Sequence, residues 1–179
     1  MTDETNLVLV GPMGAGKTSV GKLLAQQLNL TFFDADRELE ARCGADIPWI
    51  FDIEGETGFR HREQDIIAEL CQQRGIVLAT GGGAVLREEN RAHIRAAGVV
   101  VYLSANEQQI LRRVSRDTNR PLLQVEDPAA AIRRILEERD PLYRQVADLV
   151  VCSSDSESPG SMAGKIKQQL REKFPTQFG

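Results

Sequence analysis

The chain has 179 residues, 41% of them hydrophobic and 27% charged, a length and composition suited to one globular unit with its own core and no need of stapling disulfides or metals. Its formal net charge of −4 argues against a nucleic-acid or anionic-membrane surface as the main partner, because such binders carry a basic excess. Cys43, Cys71 and Cys152 show no C-x-x-C spacing, the opening MTDETN is polar and acidic, and no apolar run nears the ~20 residues of a membrane span, so a reduced, cytoplasmic protein is expected.

Five short apolar runs recur: Leu7–Val10, Leu30–Phe33, Ile76–Ala79, Val99–Leu103 and Leu149–Cys152. Most are continuously apolar, the pattern of strands buried on both faces of a parallel sheet. After the first run, Val20, Leu24 and Leu28 fall at helical spacing. Ile66, Ile67 and Leu70 give the stretch Glu56–Leu70 an apolar face. Asn106–Val114 opens on an N-cap residue and carries Ile110, Leu111 and Val114. Ser115–Val125, SRDTNRPLLQV, is polar and then broken by Arg-Pro; it reads either as a mobile lid or as a plain helix–helix connection. Pro128–Arg144 begins with a first-turn proline and stripes Ile132, Ile135 and Leu136. A last helix is expected from about Gly160 to Lys173, after the polar loop Ser153–Pro159. Strands alternating with helices predict an α/β three-layer sandwich, a five-stranded parallel sheet with helices on both faces, in a single domain spanning 1–179.

The first strand runs straight into Gly11-Pro12-Met13-Gly14-Ala15-Gly16-Lys17-Thr18, and a helix follows. This is G-x-x-x-x-G-K-[ST] in its confirming context. The glycines let backbone N–H groups close around a phosphate, and the helix N-terminus adds partial positive charge. Lys17 supplies a full charge at the β/γ-phosphates and the Thr18 hydroxyl is a magnesium ligand. Gly14, Ala15, Gly16, Lys17, Thr18 and Ser19 are therefore the nucleotide-binding candidates.

The third strand ends in Thr80-Gly81-Gly82-Gly83 without a carboxylate, so the acid that completes a magnesium site must come from elsewhere. The second strand ends in Asp34-Ala35-Asp36, at the sheet edge where open α/β folds bind ligands. In extended chain the two carboxylates point to the same side. Asp34 is then placed to hold a magnesium-bound water while Asp36 reaches an acceptor; alternatively, Asp36 caps the helix RELEARC. Gly81-Gly82-Gly83 lets a small ligand approach the main chain, although a strand–helix turn reads the same way.

Together these residues resemble the shikimate kinase family. The resemblance rests on GPMGAGKT, FFDADRELE, the stretch Gly55–Glu63, ATGGGAV at Ala79–Val85, NRPLL at Asn119–Leu123 and ERDPLY at Glu138–Tyr143. It implies a P-loop kinase fold of the nucleoside-monophosphate-kinase type with a small lid at about 115–125. It also implies ATP-dependent phosphorylation of the 3-hydroxyl of shikimate, a step toward chorismate and the aromatic amino acids, with ATP and Mg2+ as cofactors. By position, Asp34 falls in the magnesium region, and Asp36 binds the shikimate hydroxyls and acts as base. Arg60 and Arg139 clamp the carboxylate beside Gly81, Gly82 and Gly83. Arg120 is the lid arginine that reaches the phosphates, and Arg113 lies against the adenine. Trp49, Phe51 and Phe59 are either pocket wall or core.

Arginine supplies 17 of the 22 basic residues. Codon usage explains most of that bias, but bidentate anion grip is the reading for Arg60, Arg120 and Arg139. Two rival functions share the phosphate loop. One is another small-molecule kinase, such as a gluconate kinase. The other is a nucleotide-binding switch, favoured by the D-x-x-G match Asp52–Gly55 but lacking any N-K-x-D to read guanine. Neither a nucleic-acid nor a membrane partner is expected, and nothing in the pattern asks for more than a monomer.

Overall fold

The computed structural model describes residues 5–115, 125–154 and 156–179. Five strands, β1 (Asn6–Val10), β2 (Thr31–Asp34), β3 (Ile76–Ala79), β4 (Gly98–Ser104) and β5 (Leu149–Cys152), form one sheet in the order β2-β3-β1-β4-β5. Every pairing is parallel. Each apolar run of the sequence is a strand, with ends displaced by at most one residue. The central strand β1 is buried along its whole length, as a strand covered on both faces must be.

Alternation of side chains along the strands divides the core in two. Val8, Val10, Leu78, Val100 and Tyr102 pack on one face against α3 (Ile47–Leu70), α4 (Glu88–Ala97) and α6 (Pro128–Val146). Leu7, Leu9, Val77, Val101 and Leu103 pack on the other against α1 (Lys17–Leu28) and α7 (Pro159–Lys173). These are the three layers expected. Two further helices are α2 (Ala35–Cys43), and α8 (Pro175–Phe178) near the end of the chain. A third cluster, Met13, Ile110, Val114 and Ile132, seats α5 (Glu107–Val114) and α6 against the loop after β1.

Two elements differ from expectation. Helix α3 starts at Ile47 rather than Glu56, capped by Asp46 and broken at Gly55, whose φ of 69° bends it into two arms. Helix α4 has no apolar stripe to announce it; its buried residues are Asn90, Ile94 and Ala97, and Asn90 donates to the Ala84 carbonyl. The chain builds β2 and β3 on one side of β1, then β4 and β5 on the other. The loops after β1 and β3 are therefore neighbours at the C-terminal edge of the sheet, where such folds bind ligands. No helix among the described residues is long and apolar enough to cross a membrane.

Candidate active site

The loop between β1 and α1 is a phosphate cradle by its backbone. Gly14 and Gly16 hold positive φ of 73° and 94°, and Gly16 is the N-cap of α1 with no side chain to occupy the helix terminus. Its open N–H groups face any anion placed there. Lys17 is buried, and its Nζ donates to the carbonyls of Gly11 at 2.7 Å and Pro12 at 2.8 Å. The lysine thus arches along the loop instead of pointing away. Ala15 N donates to Pro12 O at 3.2 Å and closes the turn; Ser19 lies exposed in the first turn of α1. Arg113, on α5, donates from Nη1 to the Gly14 carbonyl at 2.7 Å and buttresses the loop from outside.

Thr18 and Asp34 meet at 2.6 Å, the hydroxyl donating to Oδ2. The other oxygen, Oδ1, accepts from the backbone N–H groups of Asp36 (3.1 Å) and Arg37 (3.3 Å). Asp34 is therefore the N-cap of α2. This corrects the extended-chain geometry expected of Asp34-Ala35-Asp36: helix begins at Ala35, so Asp36 sits in its first turn. The alternative of Asp36 as the cap is corrected too, since the capping carboxylate is that of Asp34. A Ser/Thr hydroxyl beside one carboxylate is a hard-oxygen pair that suits Mg2+, which keeps water and phosphate oxygens as its remaining ligands. Among the described residues no cluster of three or more His, Cys, Asp and Glu forms an all-protein metal site.

Beside this pair lies a cavity of about 430 Å³, within the range of small-molecule sites. Thr18, Asp34, Asp36, Arg60 and Arg139 all line it, as do Gly81, Gly82 and Gly83. The glycine loop is its floor. A Cβ on Gly81 would come within 2.8 Å of Asp36 Oδ1 and 3.0 Å of Glu63 Oε2, and one on Gly83 would overlap the Arg60 guanidinium. At Gly82 the ideal Cβ position is 3.7 Å from Arg139 Nη1. Four charged side chains from α2, α3 and α6 thus converge on bare main chain.

Arg60 and Arg139 are both buried. Arg60 Nη1 donates to Glu63 Oε1 at 2.8 Å, and its guanidinium lies 5.1 Å from the Phe59 ring centroid. Phe51 and Phe59 line the cavity and pack on each other at 4.7 Å. Trp49 does not join them: it is 52% exposed on the outer side of α3. Among the described residues, buried atoms without a partner include Nε of Arg60, Nε of Arg139 and Oε2 of Glu63. Such open polar capacity in a cavity is the mark of a ligand site.

Glu63, Met13 and Tyr143 are among the residues of the site that escaped sequence reasoning. Glu63 is buried, and burial pushes its carboxyl pKa up, opposed by Arg60, Arg139 and Arg87. Its signal was the i, i+3 spacing from Arg60 on one helix. Met13 lines the cavity from within the phosphate loop. Tyr143 donates to the Gly82 carbonyl at 2.5 Å, a contact across 61 positions that no local pattern shows. Most of the expected lid 115–125, including Arg120, lies outside the described residues.

A phosphate cradle after the central strand of this sheet, with an arginine-lined acidic cavity beside it, defines a small-molecule P-loop kinase. The family model "Shikimate kinase" matches residues 13–171, and on that match the chain belongs to the shikimate kinase family. The shikimate kinase of Pseudomonas entomophila is 57% identical over 170 residues, covering 95% of this chain and 98% of that one. Among solved structures, a shikimate kinase from Acinetobacter baumannii in complex with shikimate superposes with a TM-score of 0.92 at 47% identity, covering 95% and 94% of the two chains. One from Bacteroides thetaiotaomicron gives 0.84 at 30% identity, covering 96% and 98%. The chain is thus an ATP-dependent phosphotransferase of the shikimate pathway, with Mg2+ as the usual ion.

Proposed function

We propose that the chain transfers a phosphoryl group from ATP to the 3-hydroxyl of shikimate through a division of labour within one cavity. The observation that carries this reading is the convergence of Arg60, Arg139 and Asp36 on the Gly81–Gly83 loop, next to the phosphate cradle. Two buried guanidinium forks suit a carboxylate, which each can grip bidentately. Asp36 binds the acceptor hydroxyls and takes the proton of the one that reacts. Gly14, Ala15, Gly16 and Ser19 offer backbone N–H groups to the donor phosphates, and Lys17 neutralises their charge. Thr18 and Asp34 would hold Mg2+, which would offset the charge of the donor phosphates. Arg120, on the lid at about 115–125, brings a further charge to the transferred group and helps exclude water. Arg113, tied to Gly14, lies against the adenine. The whole of 1–179 works as one domain, as a cytoplasmic monomer without nucleic-acid or membrane partners.

A gluconate kinase would share the cradle, and gluconate carries a carboxylate too; the family match is what favours shikimate as the acceptor. The test offers shikimate, gluconate and nucleoside monophosphates in turn, with ATP and magnesium. Shikimate is expected to be the sole efficient acceptor; phosphorylation of gluconate but not shikimate would overturn the assignment. A guanine-specific switch predicts nucleotide hydrolysis without any phosphorylated acceptor.

A further inference from the structure

We infer that Tyr143 is a positioning residue for the acceptor carboxylate, tying the Arg139 fork to the floor of the cavity. This rests on the reading of Arg139 as a carboxylate clamp. Tyr143 stands one helical turn after Arg139 on α6, so the two side chains share a face. It is fully buried, and its hydroxyl donates to the carbonyl of Gly82 at 2.5 Å. Arg139 reaches the same glycine, its Nη1 lying 3.7 Å from the ideal Cβ position of Gly82. A relay of position results: the turn of α6 that carries Arg139 is tied through the phenol to the main-chain carbonyl. It joins a side chain of α6 to the loop after β3, two parts of the cavity that no strand pairing connects.

The ring is held as firmly as the hydroxyl. Tyr143 packs on Tyr102 with centroids 4.9 Å apart. Tyr102, on β4, donates to Asp140 at 2.8 Å, and Asp140 accepts from Arg144 at 2.8 Å. Residues Asp140 and Tyr143 thus fix one turn of α6 to the sheet, with Arg139 between the anchored turn and the cavity. Packed against Tyr102, the ring holds its hydroxyl toward the Gly82 carbonyl. Burial keeps that hydroxyl protonated, against the pull of Arg139 and Arg60, so the relay persists throughout the neutral range.

A fork must meet both oxygens of a carboxylate in one plane, and a small rotation forfeits the bidentate geometry. Tyr143→Phe keeps the ring and deletes only the relay. The KM for shikimate is expected to rise about tenfold, worth about 1.4 kcal/mol, while kcat and the KM for ATP stay within about threefold. The same variant should lose about tenfold of its preference for shikimate over shikimate methyl ester, because the ester cannot use the fork fully. A merely structural tyrosine lowers melting temperature without moving that preference. Arg139→Lys is measured alongside, singly and combined with Tyr143→Phe, and the combined effect is expected to fall well short of the sum. If Arg139→Lys weakens shikimate binding but Tyr143→Phe leaves KM and ester preference untouched, the inference is overturned and the carboxylate clamp stands. If neither variant changes shikimate KM, the clamp itself is overturned and the inference falls with it.

Discussion

Asp36 and Asp34 stand two residues apart and have different work because of where α2 begins. Asp34 spends one oxygen on the helix terminus and the other on Thr18, whereas Asp36 turns its carboxylate to the Gly81 backbone. Asp36→Asn keeps the shape and removes the base, so kcat should fall by roughly 10²–10⁴ with ATP affinity unchanged; equal losses of both, measured by turnover and nucleotide titration, would mark Asp36 as structural. The two tyrosines make a second prediction. Burial raises the phenol pKa of Tyr143 to about 12 and that of Tyr102 higher still, Tyr102 also through its bond to Asp140. A raised pKa in the folded chain means that these phenols support folding below the ordinary value of 10.0 and withdraw that support as pH climbs toward about 12. Tyrosinate absorbance should therefore appear together with loss of helical circular dichroism, not before it. A simple titration centred near 10 in the folded protein would contradict the buried pair.

The break in α3 shows how one residue shapes an element. Gly55 takes φ 69° and ψ −178°, and an added Cβ there meets nothing within 4 Å. Gly55→Ala therefore costs backbone strain alone, roughly 1–2 kcal/mol. For a chain of this size that lowers the melting temperature by about 2–8 °C; the shikimate KM should rise too, because the arm before the bend carries Ile47 and Phe51 to the cavity. An unchanged melting curve would mean the bend relaxes. The same residue explains why the helix was legible only from Glu56: a glycine between WIFDIE and ETGFR reads as a stop. Strands were legible because a parallel sheet buries both faces and demands unbroken apolar runs. Helix α4 was not, because its buried face is built on Asn90, whose place is secured by a hydrogen bond and leaves no apolar trace. Asn106 was visible as a cap, and the structure completes it into a reciprocal pair with Gln109.

Taken as a whole, the molecule gathers its site from the loops after β1 and β3 and from α2, α3 and α6, so a ligand there bridges segments far apart in the chain. The phosphate loop was fully legible because its chemistry is contiguous. The acceptor cavity was legible only through resemblance, since Arg60, Gly82 and Arg139 share no local spacing. Shikimate, touching all of these segments, should raise the melting temperature by roughly 5–11 °C at a hundredfold excess over its Kd, and gluconate should not; a shift with both would show a nonselective anion pocket. The unpartnered nitrogens on Arg60 and Arg139 and the open oxygen on Glu63 carry one more consequence. Charge buried in this way costs stability that an apolar core of the same shape would not cost. Arg139→Met should relieve that tension, melting at or above the parent temperature while shikimate binding falls by about 100-fold or more. Melting several degrees lower would show instead that Arg139 is structural cement. The cavity then trades fold stability for recognition: the same guanidinium that costs the core its packing is the group a carboxylate would pair with.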